Sequence, residues 1–223
     1  KLNHASADLV IGQSTGDLGT LLSPFGASVT VKNATLGLGA GSTGMATMQS
    51  GSTWTSDALI VGDAGIGTLL FSSGTMTTQS ATLGVAAGST GTASFSSASR
   101  WTNFGPLKIG DAGNGTLNIN GEALVQAGDT TLGFSATGTG IVLVSGGATL
   151  RSSSTGIVVG KAGTGLLAVS ENGQLEVGDG SGTVTLGLLS GGTGYLVVGS
   201  SNPGPGAGPG RLNIATITTG AGT

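Results

Sequence analysis

Ile60–Met76 reads IVGDAGIGTLLFSSGTM, and further along the chain Lys108–Val125 reads KIGDAGNGTLNINGEALV. Each segment begins with a short strand end whose last residue is apolar, Val61 or Ile109, turns on a glycine, passes a short loop and a second glycine, and continues in a run of mostly apolar and small polar residues. Alternation with a period of two puts Leu69 with Phe71, and Leu117 with Ile119, on one face of a short strand.

Reading outward from these segments, the first glycine recurs as Gly12, Gly37, Gly62, Gly84, Gly110, Gly133, Gly160 and Gly187, at spacings of 25, 25, 22, 26, 23, 27 and 27 residues. A fixed spacing in this range is the signature of a solenoid. The second glycine follows as Gly19, Gly44, Gly67, Gly91, Gly115, Gly140, Gly165 and Gly194. From Gly37 onward the step between the two alternates between 7 and 5, so the repeating unit is a pair of coils of about 50 residues.

Alignment on the glycines gives columns. Leu9 and Ile11, Ala34 and Leu36, Leu59 and Val61, Ala81 and Leu83, Leu107 and Ile109, Thr130 and Leu132, Ile157 and Val159, and Val184 and Leu186 form the inward face of a first strand. Positions two and four after the second glycine, from Leu21 and Ser23 to Leu196 and Val198, form that of a second. A third strand carries Val29, Trp54, Met76, Trp101, Leu124, Leu150 and Leu175, nine or ten residues after the second glycine. The pattern predicts an all-β fold, a right-handed parallel β-helix with three short strands per coil and about eight to nine coils. At about 4.8 Å per coil, eight coils make a rod on the order of 40 Å long, stabilised by stacking and cornered by glycines.

Residues 1–200 read as coils, 201–210 as an extruded loop containing NPGPGAGPG, and 211–223 as a further strand cut short. The pattern shows no polar cap at either end, which leads us to expect that the natural chain continues beyond Thr223.

Composition narrows the function. Glycine, 46 of 223 residues, is about three times its usual share of roughly 7%, yet 37% of the chain is hydrophobic, which excludes a disordered linker. With 7 basic against 10 acidic side chains the chain lacks the electrostatic footprint of a nucleic-acid binder. No apolar run is long enough to cross a bilayer, and KLNHASADLV lacks the design of a signal peptide. The absence of cysteine removes disulfides and thiolate metal sites, and suits a chain that crosses a periplasm unfolded.

The two quoted repeats resemble the passenger repeats of type V secreted bacterial autotransporters, the Gly-rich β-helix repeat family, and GRLNIATITTGAGT after the Gly-Pro loop resembles a segment such passengers carry nearer their membrane barrel. The resemblance implies a secreted or cell-surface location, anchorage through a β-barrel outside this sequence, and roles in adhesion, aggregation or biofilm formation. Enzymatic members carry separate catalytic inserts, and none is visible here.

Candidate chemistry is sparse. His4 is the sole histidine and sits at a terminus, which leaves nucleophilic hydrolysis without a placed base. The acids Asp8, Asp17, Asp57, Asp63, Asp111, Glu122, Asp129, Glu171, Glu176 and Asp179 are spread mostly one per coil. Asp63 and Asp111 hold equivalent loop positions two coils apart, about 10 Å, near the separation of an inverting carboxylate pair, and Lys161 takes that place next; a turn aspartate capping local N–H groups explains GDAG better. The nine-residue period of a calcium roll is missing.

Trp54 and Trp101 share a register with Leu150 and Leu175 and read as core rather than as a sugar platform. The outward positions Val10, Thr35, Ile60, Thr82, Lys108, Thr131, Val158 and Thr185 are only half threonine, short of an ice-binding face and explained by β-propensity. On the second strand the outward residues change from Thr20, Thr68, Thr92 and Thr116 to Ile141, Leu143, Leu166, Tyr195 and Val197, a contact surface or a seat for the Gly-Pro loop. Arg100, Lys108 and Arg151 offer an anchor for an acidic glycan if neighbouring outward positions gather them, though scattered cations are more often solvated.

No residue is therefore assigned as catalytic, cofactor-binding or metal-ligating, and ligand-binding positions are left open. The expectation is a non-enzymatic adhesive or structural segment at the bacterial cell surface, without cofactors, whose partners are host matrix or cell-surface glycans and proteins, or itself, and not nucleic acid. A carbohydrate-active β-helix enzyme and an inert spacer presenting another domain are the alternatives.

Overall fold

The computed structural model describes residues 1–199 and 208–222. The first coil shows the plan: strand Leu9–Ile11, a glycine corner, strand Leu18–Ser23, a turn, strand Ser28–Val31. Successive coils pair in parallel, forming a β-helix with three strands per coil. In the second ladder Gly19, Gly44, Gly67, Gly91, Gly115, Gly140, Gly165 and Gly194 lie side by side in that order. The inward columns of the first two strands keep the register expected of them, because a slip of one residue would turn each strand's apolar set to solvent.

The anchor glycines, Gly12 through Gly187, adopt φ between 60° and 75°, the left-handed conformation that turns the first strand into the second. The second ladder has eight strands, while the first and third ladders merge into one sheet of sixteen. The merger occurs because Thr53–Val61 and Thr75–Leu83 each run from a third strand directly into the next first strand. A ninth layer is partly built, with Arg211–Asn213 on Gln174–Val177 and Thr216–Thr219 on Thr183–Leu186. Of the loop expected over 201–210, residues 201–207 fall outside the described residues; Gly208 donates its N–H to Asn172 Oδ1 at 3.1 Å, and Arg211 N–H reaches Gly173 O at 2.8 Å.

One column differs from expectation. Leu124 pairs with Arg100 and Thr149 on the outward side, and the residue stacked between Trp101 and Leu150 is Val125, fully buried. The turn through Asn120, Gly121 and Glu122 delivers the third strand ten residues after Gly115, as in most coils, rather than nine.

Side chains of graded size fill the interior. Met48, Phe71, Phe95 and Ile119 stack along the second ladder, with Phe71 and Phe95 at 5.6 Å between ring centroids. Trp101 stacks on Phe95 at 4.9 Å across the corner of the same coil. Trp54, Met76 and Trp101 form one buried column, so both tryptophans belong to the core.

Two residues beyond that column the interior turns polar, with Ser56, Thr78, Asn103 and Ser152 buried among apolar neighbours. Each has a partner there. Trp54 Nε1 donates to Ser56 Oγ at 3.1 Å and Trp101 Nε1 to Thr78 Oγ1 at 2.9 Å. Thr78 Oγ1 in turn donates to Asn103 Oδ1 at 2.7 Å, and Asn103 Nδ2 closes the following bend through the carbonyls of Gly105 and Pro106, at 2.7 and 3.1 Å. Buried polar groups are tolerated when satisfied in this way. Ser152 Oγ donates to Gly128 O at 3.0 Å.

Candidate functional site

The carboxylates stay dispersed. Among the described residues no three of His, Asp and Glu gather at one point. His4 pairs through its backbone with Val31 and is exposed at the first edge of the third ladder, its ring without a hydrogen bond among the described residues. Asp63 and Asp111 lie two coils apart, with Ala86 between them through Ala86 N–H to Asp63 O at 2.8 Å. Neither carboxylate caps a backbone N–H as expected of a turn aspartate. Asp111 instead meets Lys108 Nζ at 3.4 Å and Ser135 Oγ at 3.4 Å, because the loop backbone satisfies its own N–H groups on the preceding coil: Asp111 N–H reaches Gly84 O at 2.9 Å and Ala112 N–H reaches Val85 O at 2.9 Å.

The outward face of the second ladder changes character along the rod. Thr68, Thr92 and Thr116 form one column that continues as Ile141, Leu166 and Tyr195, beside Leu143, Ala168 and Val197. Tyr195 and Val197 are more than half exposed. This patch borders a shallow groove whose lining includes Leu143, Ala168, Val197 and Gly199.

Arg100, Lys108 and Arg151 do not gather into a shared anchor. Arg100 and Arg151 belong to the third ladder, in different columns and coils, and Lys108 to the first. Arg151 is engaged by Glu176 on the next coil, with Nε and Nη2 donating to Oε2 at 2.9 and 2.7 Å. The Arg151 side chain is 40% exposed, so water screens the pair. Replacing Arg151 by Gln is expected to lower the unfolding free energy by less than about 1 kcal/mol, with the difference shrinking in high salt, as read from urea unfolding midpoints at two ionic strengths.

The basic side chains that do converge are Lys108 and Lys161. Lys108 leaves the outward face of its first strand, two residues before an anchor glycine; Phe134 and Lys161 each follow an anchor glycine, in the next two coils. Lys108 Nζ lies 4.0 Å and Lys161 Nζ 3.7 Å from the centroid of the Phe134 ring. Each cation over the ring is worth about 0.5–1 kcal/mol at an exposed site. Lys108 also pairs with Asp111, whereas Lys161 has no carboxylate partner among the described residues. The three side chains border an open trough of about 410 Å³ across the first ladder, with Thr131 and Val158 along the strands and Asp129 and Thr155 in the bends that lead into them.

The arrangement offers two ammonium groups resting on one aromatic ring, hydroxyls and one carboxylate, on strands and corners that stack coil on coil. Sequence reading singled out Lys108 and Lys161 separately and passed over Phe134, the residue that joins them. No family model, curated protein or solved structure matches this chain.

Proposed function

We propose that this chain is a rigid, non-enzymatic segment of an extracellular passenger, which adheres to host matrix or cell-surface molecules, or to further copies of itself, through its outward strand faces. The observation that carries this reading is the unbroken in-register stacking of the coils, which presents outward side chains as long lateral arrays on fixed backbone. Such arrays distribute weak contacts over a length, and a rod assembled by nearest-neighbour stacking holds them without a globular scaffold. Support for the passenger assignment comes from the resemblance of the repeats at Ile60–Met76 and Lys108–Val125. On that reading the segment stands at the bacterial cell surface or is secreted, and its membrane barrel lies elsewhere in the protein.

The test is a binding screen of the purified chain against matrix proteins, glycosaminoglycans and itself, with salt titrated. Saturable binding to one of these classes is the expected result. Binding to none of them overturns adhesion, and release of new reducing ends from a glycan overturns the non-enzymatic reading.

A further inference from the structure

We infer that the trough bordered by Lys108, Phe134 and Lys161 binds an anionic saccharide, with its carboxylate or sulfate groups held by the two ammonium groups that rest on the Phe134 ring. This rests on the adhesive reading and names its site and ligand class.

Charge placement is the first ground. The chain is net acidic, with only seven basic side chains, yet two of them meet over one aromatic ring. Like charges brought together repel, and Asp111 is paired with only one of them, at 3.4 Å. An anion drawn to these ammonium groups offsets that repulsion and supplies Lys161 with a carboxylate or sulfate partner.

Preorganisation is the second. A free lysine loses considerable rotamer freedom on binding, but both side chains here already rest on Phe134. Lys108 lies on a paired strand, and Phe134 and Lys161 lie in corners whose backbones stack coil on coil, with Phe134 N–H on Gly110 O at 2.9 Å and Lys161 N–H on Gly133 O at 3.0 Å, so the spacing of the three is set by the stacking of successive coils.

The rest of the trough selects among anions. Asp129 lies in the bend that enters the strands while the ammonium groups lie toward their far end, which leaves the trough lining net positive, with its charges divided between two ends. A polyacidic peptide would set carboxylates against Asp129. A saccharide acid sets its anionic group on the lysines and its hydroxyls on Asp129, Thr131 and Thr155, where they donate and accept.

The experiment measures binding of the full 223-residue chain to four immobilised probes: heparin (sulfated), polygalacturonate (carboxylate only), dextran (neutral) and poly-glutamate. The variants K108Q, K161Q and F134A are compared with R151Q as a control for loss of charge alone, and circular dichroism melting shows that each is folded. Expected is binding to one or both anionic saccharides that weakens with salt, no binding to dextran, and weaker binding to poly-glutamate. K161Q and K108Q should each lose about fivefold in affinity, the size of one screened ion contact, while R151Q should match the parent. The heparin and polygalacturonate arms separate sulfate from carboxylate. Equal or tighter binding to poly-glutamate overturns the saccharide class. Parent-like binding by both K161Q and K108Q overturns the site while leaving adhesion standing. Binding to none of the four probes overturns the site; if matrix protein or the chain itself is bound in the screen above, adhesion stands, and if nothing is bound there either, both fall.

Discussion

Replacing Trp101 by Ala is expected to lower the unfolding free energy by about 3–5 kcal/mol, the upper range for truncating a buried aromatic side chain. Trp101 is fully buried, stacks on Phe95 at 4.9 Å and donates its indole N–H to Thr78 Oγ1 at 2.9 Å. Alanine would empty the space between Met76 and Val125 and remove one partner of the Thr78–Asn103 chain. Phe at this position separates the two losses: the ring contact with Phe95 is largely kept while the donor to Thr78 is gone, an expected cost of about 1 kcal/mol. Because each coil is supported only by its neighbours, a defect in the middle of the rod should also weaken the coupling between its halves. Guanidinium unfolding followed by circular dichroism should therefore show a lower midpoint for W101A together with a reduced slope. A loss below about 1 kcal/mol would mean that the aromatic stack does not hold the central coils together.

The fold was legible because glycine and apolar residues obey different rules at different places in the coil. The anchor glycines are demanded by positive φ, so they could be aligned without a structure, and the first two strands followed from them by alternation alone. The third strand depends on the length of the preceding turn. There the count slipped by one at Leu124, and a slip of one exchanges the inward residue for the outward one. The polar column of Ser56, Thr78 and Asn103 lies two residues beyond Trp54, Met76 and Trp101, so the same alternation places it inside. What alternation does not give is the partner of each buried hydroxyl, since Thr78 Oγ1 accepts from Trp101 and donates to Asn103, both on the neighbouring coil. The merging of third and first strands in Thr53–Val61 and Thr75–Leu83 was also hidden, because it depends on whether a bend keeps its pairing.

The candidate site was half legible. The residues immediately after the anchor glycines run Asp111, Phe134, Lys161 in three consecutive coils, a column as regular as those of the core. Comparing every second coil, as the alternating glycine step invites, sets Asp111 beside Lys161 and skips Phe134. Strand alternation gives no guidance there, because a corner residue projects to the side of the rod, and only the positions of neighbouring coils decide what it meets. Arg100, Lys108 and Arg151 stay apart for a related reason: all three are outward positions, but they belong to two ladders and to different columns.

Replacing Gly91 by Ala is expected to destabilise the rod by more than about 3 kcal/mol, whereas the same replacement at Gly88, in the same loop, should cost only about 1–2 kcal/mol. Gly88 adopts φ 84° with nothing within 4 Å of where a Cβ would stand, so alanine there meets only the intrinsic penalty of the left-handed conformation. Gly91 does not adopt the left-handed conformation, and its requirement is proximity: a Cβ would lie 1.9 Å from Val61 O and 2.5 Å from Gly84 N. These are the acceptor and donor of the bond by which Gly84 N–H holds the preceding coil, at 2.9 Å. Neither atom belongs to a flexible side chain, so relief requires displacement of the corner backbone and disturbs the strands on either side. The same close approach recurs at Gly44, Gly140 and Gly194, with a preceding-coil carbonyl at 2.0–2.1 Å, whereas in the short loops Gly67, Gly115 and Gly165 meet their own anchor N–H first, at 2.2–2.3 Å. The two glycine columns thus answer separate physical demands, a conformation in one and a distance in the other. Urea unfolding of G88A and G91A measures the two terms side by side, and equal losses would show that conformation alone fixes the second glycine.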